Sequence, residues 1–151
     1  MRKIVLVTGG FDPLHTGHIA YFKSAKEKGD ELWVGLNSDN WLMKKKGKPF
    51  MNINERKEII QNLVMVDKVI LFDDKDNSSN DAILKALKFC SSKEQIIFAN
   101  GGDRNKNNIP EVKQYKNNPN IKFIFGVGGN KKNSSSKILK AWTDFKKTEL
   151  R

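Results

Sequence analysis

The chain holds two histidines, His15 and His18, both inside Thr8-Gly9-Gly10-Phe11-Asp12-Pro13-Leu14-His15-Thr16-Gly17-His18. Their spacing of three puts both rings on one face if the first helical turn includes them. Imidazoles there can donate hydrogen bonds to phosphate oxygens, neutral or charged. Gly9 and Gly10 let the backbone turn sharply and approach a ligand with no Cβ in the way. An apolar, β-branched run, Ile4-Val5-Leu6-Val7, comes before this stretch, and the amphipathic Ile19-Ala20-Tyr21-Phe22-Lys23 comes after it. The context is strand, tight turn, helix start, and a helix N-terminus attracts an anion through its N–H groups and dipole. The chemistry implied is phosphate binding with charge stabilisation. Neither G-x-x-x-x-G-K-[ST] nor G-x-G-x-x-G is present, which excludes the two commonest glycine-rich phosphate loops.

Other groups that could join this chemistry lie further along. Lys44-Lys45-Lys46-Gly47-Lys48-Pro49 reads as a cationic loop with two breakers. Asn100-Gly101-Gly102-Asp103 is a second glycine turn after an apolar run. Ser134-Ser135-Ser136 heads an amphipathic segment, where hydroxyls cap a helix.

Positioning these residues requires a regular frame. Strands are expected at 3–7, 31–36, 69–72, 95–99 and 121–125. Helices are expected at 17–28, 40–43, 55–64 (capped by Asn54), 81–89, 110–115 and 137–146, with 146–151 fraying. Helix 55–64 would bury Ile59, Ile60, Leu63 and Val64, and helix 81–89 would bury Ile83, Leu84, Ala86 and Leu87. Alternating strands and helices imply a five-stranded parallel sheet between two helix layers, a three-layer α/β/α fold in one domain, 1–151. Ligands in such sheets bind beyond the carboxyl ends of the strands where the strand order reverses. With strands one and four adjacent there, the two glycine turns face each other, each followed by an aspartate, Asp12 or Asp103.

Gly10-Phe11-Asp12 with His15-x-Gly17-His18 resembles the H-x-G-H signature of the cytidylyltransferase-like nucleotidyltransferases, which have a Rossmann-like fold. That superfamily includes glycerol-3-phosphate cytidylyltransferase, heptose-1-phosphate adenylyltransferase and pantetheine-phosphate adenylyltransferase. Glu55-Arg56 followed by Val66-Asp67-x-Val69 resembles the E-R…V-D-x-V stretch of the same family. The resemblance implies that Arg56 holds the triphosphate and that a lysine, Lys45 or Lys46, bridges donor and acceptor phosphates. Asp67 reads as structural. Asn100-Gly101-Gly102-Asp103 resembles the G-G-D of heptose-phosphate adenylyltransferases and, more loosely, the G-D-D of glycerol-phosphate cytidylyltransferase, and Asn133-Ser134-Ser135-Ser136-Lys137-Ile138 resembles the family's I-S-T-T-x-I, whose hydroxyls and helix N–H groups receive nucleotide phosphates.

The implied set is therefore His15, His18, Lys45 and Lys46 for catalysis. Thr8, Gly9, Gly10, Phe11, Asp12, Arg56, Asn100, Gly102, Asp103, Ser134, Ser135 and Ser136 would bind the nucleotide. The R-T-E-G of the family's cytidylyltransferase form is replaced by Gly129-Asn130-Lys131-Lys132, and Leu139 stands where many relatives place a basic residue. Both departures concern the nucleobase and the acceptor. The implied reaction moves NMP from an NTP, CTP ahead of ATP, to a phosphorylated small alcohol or sugar, with Mg²⁺ bridging the phosphates. A homodimer is also implied.

The formal net charge is +11, with lysines spread along the chain, including Lys131–Lys132. No aromatic-interleaved basic stripe appears, which argues against nucleic acid as the partner. The alternative is a non-catalytic nucleotide- or nucleic-acid-binding module on the same fold. No apolar run is long enough to span a bilayer and no signal-peptide layout opens the chain. The lone Cys90, read as packing filler, agrees with a reducing cytoplasm.

Overall fold

β-branched runs separated by helices fold here into a sheet of five parallel strands in the order β3-β2-β1-β4-β5. The computed structural model describes residues 1–129 and 134–150. The strands are β1 (Arg2–Gly9), β2 (Glu31–Leu36), β3 (Lys68–Leu71), β4 (Glu94–Ala99) and β5 (Ile121–Ile124). The helices are α1 (Thr16–Lys26), α2 (Asp39–Lys46), α3 (Ile53–Gln61), α4 (Asn80–Phe89), α5 (Pro110–Tyr115) and α6 (Ser135–Glu149). The Rossmann-like α/β expectation holds, and the strand order reverses between β1 and β4.

Alternation along β1 divides the core. Val5 and Val7 join Phe22 and Ala25 of α1 and Ile60 of α3 on one face. Ile4 and Leu6 join Ala82, Ile83 and Ala86 of α4 on the other. A strand buried on both faces reads as a continuous apolar run, as β1 does.

Several boundaries differ from expectation for local reasons. The lysines 44–46 are not a loop. Ser38 caps α2 by accepting the Trp41 N–H at 3.1 Å, and the helix runs through Lys46 to Gly47 at φ 89. Lysine is a good helix former, and three of them suit the negative end of the dipole. Asn52, not Asn54, caps α3, its Oδ1 accepting the Glu55 N–H at 3.1 Å. That shift ends α3 at Gln61 and leaves Val64 exposed rather than buried. Leu84 also faces outward, with Ala82 taking its place in the core. α6 is longer than expected at both ends, stays helical to Glu149, and buries none of its residues. Asp67 is structural as expected: its Oδ2 accepts the Leu32 N–H at 2.8 Å and a proton of Lys26 at 2.5 Å. Asn130, Lys131, Lys132 and Asn133, noted in the sequence, lie outside the described residues.

Candidate functional site

β1 ends at Gly9, and the chain must turn into α1 without losing contact with β2 and α2. A Cβ on Gly9 would lie 2.8 Å from the Phe11 ring, and one on Gly10 would lie 2.8 Å from Leu42 Cδ2. Phe11 itself sits at φ 51, a left-handed conformation uncommon for an aromatic residue. Burial of its ring, edge-on to Phe22 at 4.9 Å and to His18 at 5.0 Å, holds it there. This turn opens onto a cleft of about 690 Å³ at the carboxyl ends of β1 and β4.

The two histidines cap α1 reciprocally. His15 Nδ1 accepts the Gly17 N–H at 3.0 Å, and the His15 N–H donates to His18 Nδ1 at 3.2 Å. With each Nδ1 an acceptor, the proton of the neutral ring is assigned to Nε2 in both. The rings stack with centroids 3.8 Å apart and line the cleft. N–H donors beside a helix N-terminus have the chemistry to receive an anion.

Of the other expected residues, Thr8, Gly9, Gly10, Phe11, Asp12, Lys45, Lys46, Gly102, Asp103, Ser134, Ser135 and Ser136 line the same cleft. Lys45 Nζ lies 4.9 Å from the centre of the Trp41 ring. Ser134 Oγ accepts the Lys137 N–H at 3.1 Å, and Ser135 Oγ donates to the Pro13 carbonyl at 2.8 Å. The start of α6 is thereby tied to the β1–α1 loop.

Four of the expected residues have partners that the sequence did not indicate. The Asp12 carboxylate faces the protein, not a ligand: its oxygens accept the Phe50 and Met51 N–H groups, each at 2.7 Å. Lys46 donates to the Asp12 carbonyl and lies 3.7 Å from its carboxylate, so this lysine braces the loop as well as lining the cleft. Arg56 is not in the cleft lining and its side chain is fully buried. Its guanidinium donates to the carbonyls of Met51 (3.0 Å), Gly10 (3.0 Å) and Asn37 (2.8 Å) and to Asp39 Oδ1 (2.8 Å). Carbonyls from three loops converge at the start of α3, and only a planar, multi-donor fork satisfies them together. Asn100 is likewise buried beneath the cleft, where its amide nitrogen reaches the Phe98 and Ile124 carbonyls at 3.4 and 3.3 Å.

The cleft also holds residues that the sequence did not mark. Tyr21 lies one turn beyond His18, a spacing that could have flagged it. Its hydroxyl donates to the Ala99 carbonyl at 2.6 Å, and burial pushes that hydroxyl's pKa well above the usual tyrosine range. The Tyr21 ring also lies 3.3 Å from where a Gly101 Cβ would stand. Arg104, the residue after the second glycine turn, lines the cleft together with Trp41 and Leu42. Among the described residues no cluster of three His, Cys, Asp or Glu could hold a metal. With Asp12 committed to backbone, Asp103 is the remaining acid on the cleft wall.

The family description Cytidylyltransferase-like matches residues 6–140. The chain belongs to that nucleotidyltransferase family. The matched span takes in both histidines, both glycine turns and the start of α6. Among curated relatives, the FAD synthase of Thermococcus sibiricus is 47% identical over 106 residues, covering 69% of this chain and 66% of that protein. The bifunctional protein HldE of Geobacter metallireducens is 35% identical over 104 residues, covering 68% of this chain and 19% of HldE. The chain thus spans about a fifth of that bifunctional relative. Among solved structures, the lipopolysaccharide core biosynthesis protein of Thermoplasma volcanium GSS1 aligns with a TM-score of 0.63 and 29% identity, covering 83% of this chain and 96% of that one. This cytidylyltransferase-like chain contains no helix, among its described residues, long and apolar enough to cross a membrane.

Proposed function

We propose that the chain transfers the adenylyl group of ATP to the phosphate of a small phosphorylated alcohol and releases pyrophosphate. The carrying observation is the pair of stacked imidazoles whose Nδ1 atoms cap the start of α1, with the start of α6 on the same cleft. An acceptor phosphate oxygen forms the new bond to the α-phosphorus. The bond from that phosphorus to the oxygen bridging to the β-phosphate breaks, and its electron pair leaves with pyrophosphate. The nucleophile is already an anion, so positioning and charge stabilisation suffice and no base is needed. His15 and His18 donate to the α-phosphate oxygens, Lys45 and Lys46 offset the repulsion between the two anions, and the Ser134–Ser136 turn receives the remaining phosphates.

CTP was the nucleotide favoured by sequence resemblance alone. The likeness to a protein named FAD synthase supports ATP instead, because FAD carries an adenylyl group. Mg²⁺ fits as an ion brought by the triphosphate, keeping waters and few protein ligands, with Asp103 the acid within reach. It would neutralise charge on the phosphates.

The test is pyrophosphate release with ATP or CTP against glycerol phosphate, a sugar 1-phosphate and FMN. Release with ATP and one phosphate monoester is expected. Release with CTP alone, or transfer to an unphosphorylated polyol at the rate of its phosphate ester, would overturn the proposal. Silence with every pair, alongside tight, salt-sensitive DNA binding, would favour the non-catalytic module.

A further inference from the structure

The sheet opens where the cleft begins. β1 pairs with β2 as far as Gly9 and Leu36, but its pairing with β4 stops at Leu6 and Phe98. Past that point β1 runs on to the histidine turn and β4 to the Gly101-Gly102 turn, and the ladder no longer fixes one against the other.

Tyr21 of α1 spans this opening. Its hydroxyl donates to the carbonyl of Ala99, the last residue of β4, at 2.6 Å. Its ring lies along the second glycine turn, where a Cβ on Gly101 would stand 3.3 Å from Cε1 and 3.4 Å from Cδ1. The glycine turn after β5 closes on the same residue: a Cβ on Gly128 would lie 3.1 Å from Tyr21 Cα and 3.5 Å from its Cβ. The Gly128 N–H donates to Ser24 Oγ, three residues along α1 from Tyr21, at 3.3 Å. These two turns are also joined to each other. The Val127 N–H donates to the Asn100 carbonyl at 3.0 Å, and the Asn100 N–H to the Ile124 carbonyl at 2.9 Å. Tyr21 packs against the core that holds Phe11, Phe22 and Ala25, and packing alone asks for no hydroxyl there.

We propose that Tyr21 is a positioning residue whose hydroxyl and ring set how far the Gly101 and Gly128 turns stand from the imidazoles of α1. Its hydroxyl is committed to Ala99 and takes no part in the bonds made and broken. Asp103 and Arg104 follow the Gly101-Gly102 turn into the cleft, so their distance from His15 and His18 is inherited from it. The consequence for transfer rests on the function proposed above, whereas the tie itself does not.

The test compares the parent chain with Tyr21→Phe, which removes only the hydroxyl, and Tyr21→Leu, which also removes the ring. Hydrogen exchange without nucleotide is read at the amides of Asn100, Val127 and Gly128, with α4 as internal control. Tyr21→Phe should speed exchange at these three by about tenfold and leave α4 unchanged, a local and not a global opening. Pyrophosphate release is then followed with ATP and whichever of glycerol phosphate, a sugar 1-phosphate or FMN the parent turns over. In Tyr21→Phe kcat should fall about tenfold, within the ~100-fold that a misplacement of about 1 Å can cost. ATP affinity by calorimetry should change less than kcat, because both walls keep their binding groups and lose only their separation. Tyr21→Leu should open the same amides further and lower kcat further; if it does not fold, Tyr21→Phe decides alone. A merely structural tyrosine would leave kcat at the parent value once the variant is folded. That result, unchanged exchange at the three amides, or equal acceleration in α4 overturns the proposal. A parent chain that transfers nothing refutes the functional reading, and exchange then still decides the tie.

Discussion

The two walls of the cleft are built in opposite ways. On the β1–α2 side, buried charge does the bracing. Arg56 ties three loops, Asp12 takes two backbone N–H groups, and Asp74 takes the Asn37 amide, the Ser38 N–H and the Ser38 hydroxyl at 2.7–3.0 Å. On the β4–α6 side, Asp103 and Arg104 ride an exposed loop, and α6 contributes its first turn while burying none of its residues. A wall over-determined by hydrogen bonds holds reacting groups still, which in-line transfer demands. A thinly tied wall can change from relative to relative without disturbing the imidazoles, and so it suits the choice of substrate.

The largest effect that tests this contrast is on folding. Arg56→Ala should cost about 3–5 kcal/mol, the usual penalty for breaking a buried, paired charge, measured by urea unfolding. A variant of parent stability that fails to bind ATP would make Arg56 a ligand after all and erase the distinction between the walls. His18→Ala comes next, with kcat falling about 100- to 1000-fold, the cost of one preorganised donor, and with stability nearly kept. Full activity in that variant would remove the imidazole pair from the mechanism. Replacing Lys45 by Gln should raise the acceptor KM about tenfold, with ATP affinity changed less. Lys46→Gln should also lower stability, because Lys46 holds the Asp12 carbonyl. Asp103→Ala should weaken ATP binding by a few-fold, about 1 kcal/mol, with no change in the unfolding midpoint. An identical loss of stability at Asp103 and Arg56 would show the walls to be equally braced.

The smallest effect is a pH dependence. Burial raises the pKa of the Glu111 carboxyl above the usual glutamate range against the opposing charge of Arg104, and Asp76 adds to the rise. The folded chain then holds a proton that the unfolded chain has released. Its contribution to stability is complete below the ordinary glutamate pKa and fades as pH rises through the folded value. Asp67 acts in the opposite sense. Burial alone would push its pKa up, but Lys26, the Leu32 N–H and Arg2 hold the carboxyl below its usual range. Its contribution is therefore lost as pH falls. Unfolding of Glu111→Gln against the parent across this range should isolate the first slope. Parallel curves would show that Glu111 does not titrate there.

The histidine pair, the glycine turns and the strand order were legible because each is written in a short stretch. Spacing fixed the shared face of His15 and His18, and alternating strands and helices fixed the switch between β1 and β4. The backbone partners of Arg56 and Asp12 were not legible, because those carbonyls and N–H groups arrive from residues far along the chain. The reach of α2 through Lys46 was hidden by reading lysines as solvated loop, when their helix propensity and Gly47 set the boundary. Glu111 carried no signal at all, since Pro-Glu at a helix start describes an ordinary surface turn. Its burial is set by the packing of α5 on α4, which no local stretch announces.

The place of β1 in the sheet governs the order in which the molecule can be assembled. β1 is the first strand of this chain and the third in the sheet, with Ile4 paired to Glu31 on one side and to Ile96 on the other. Its pairing with β2 closes early, but its other edge stays open until β4 has been made and brought back. Contacts of such long sequence separation form slowly. During synthesis, a nascent chain halted before β4 would present the apolar edge Ile4-Val5-Leu6-Val7 to any passing strand, a template for intermolecular pairing. The strand that carries the glycine turn into the cleft is thus also the segment most in need of protection at the ribosome.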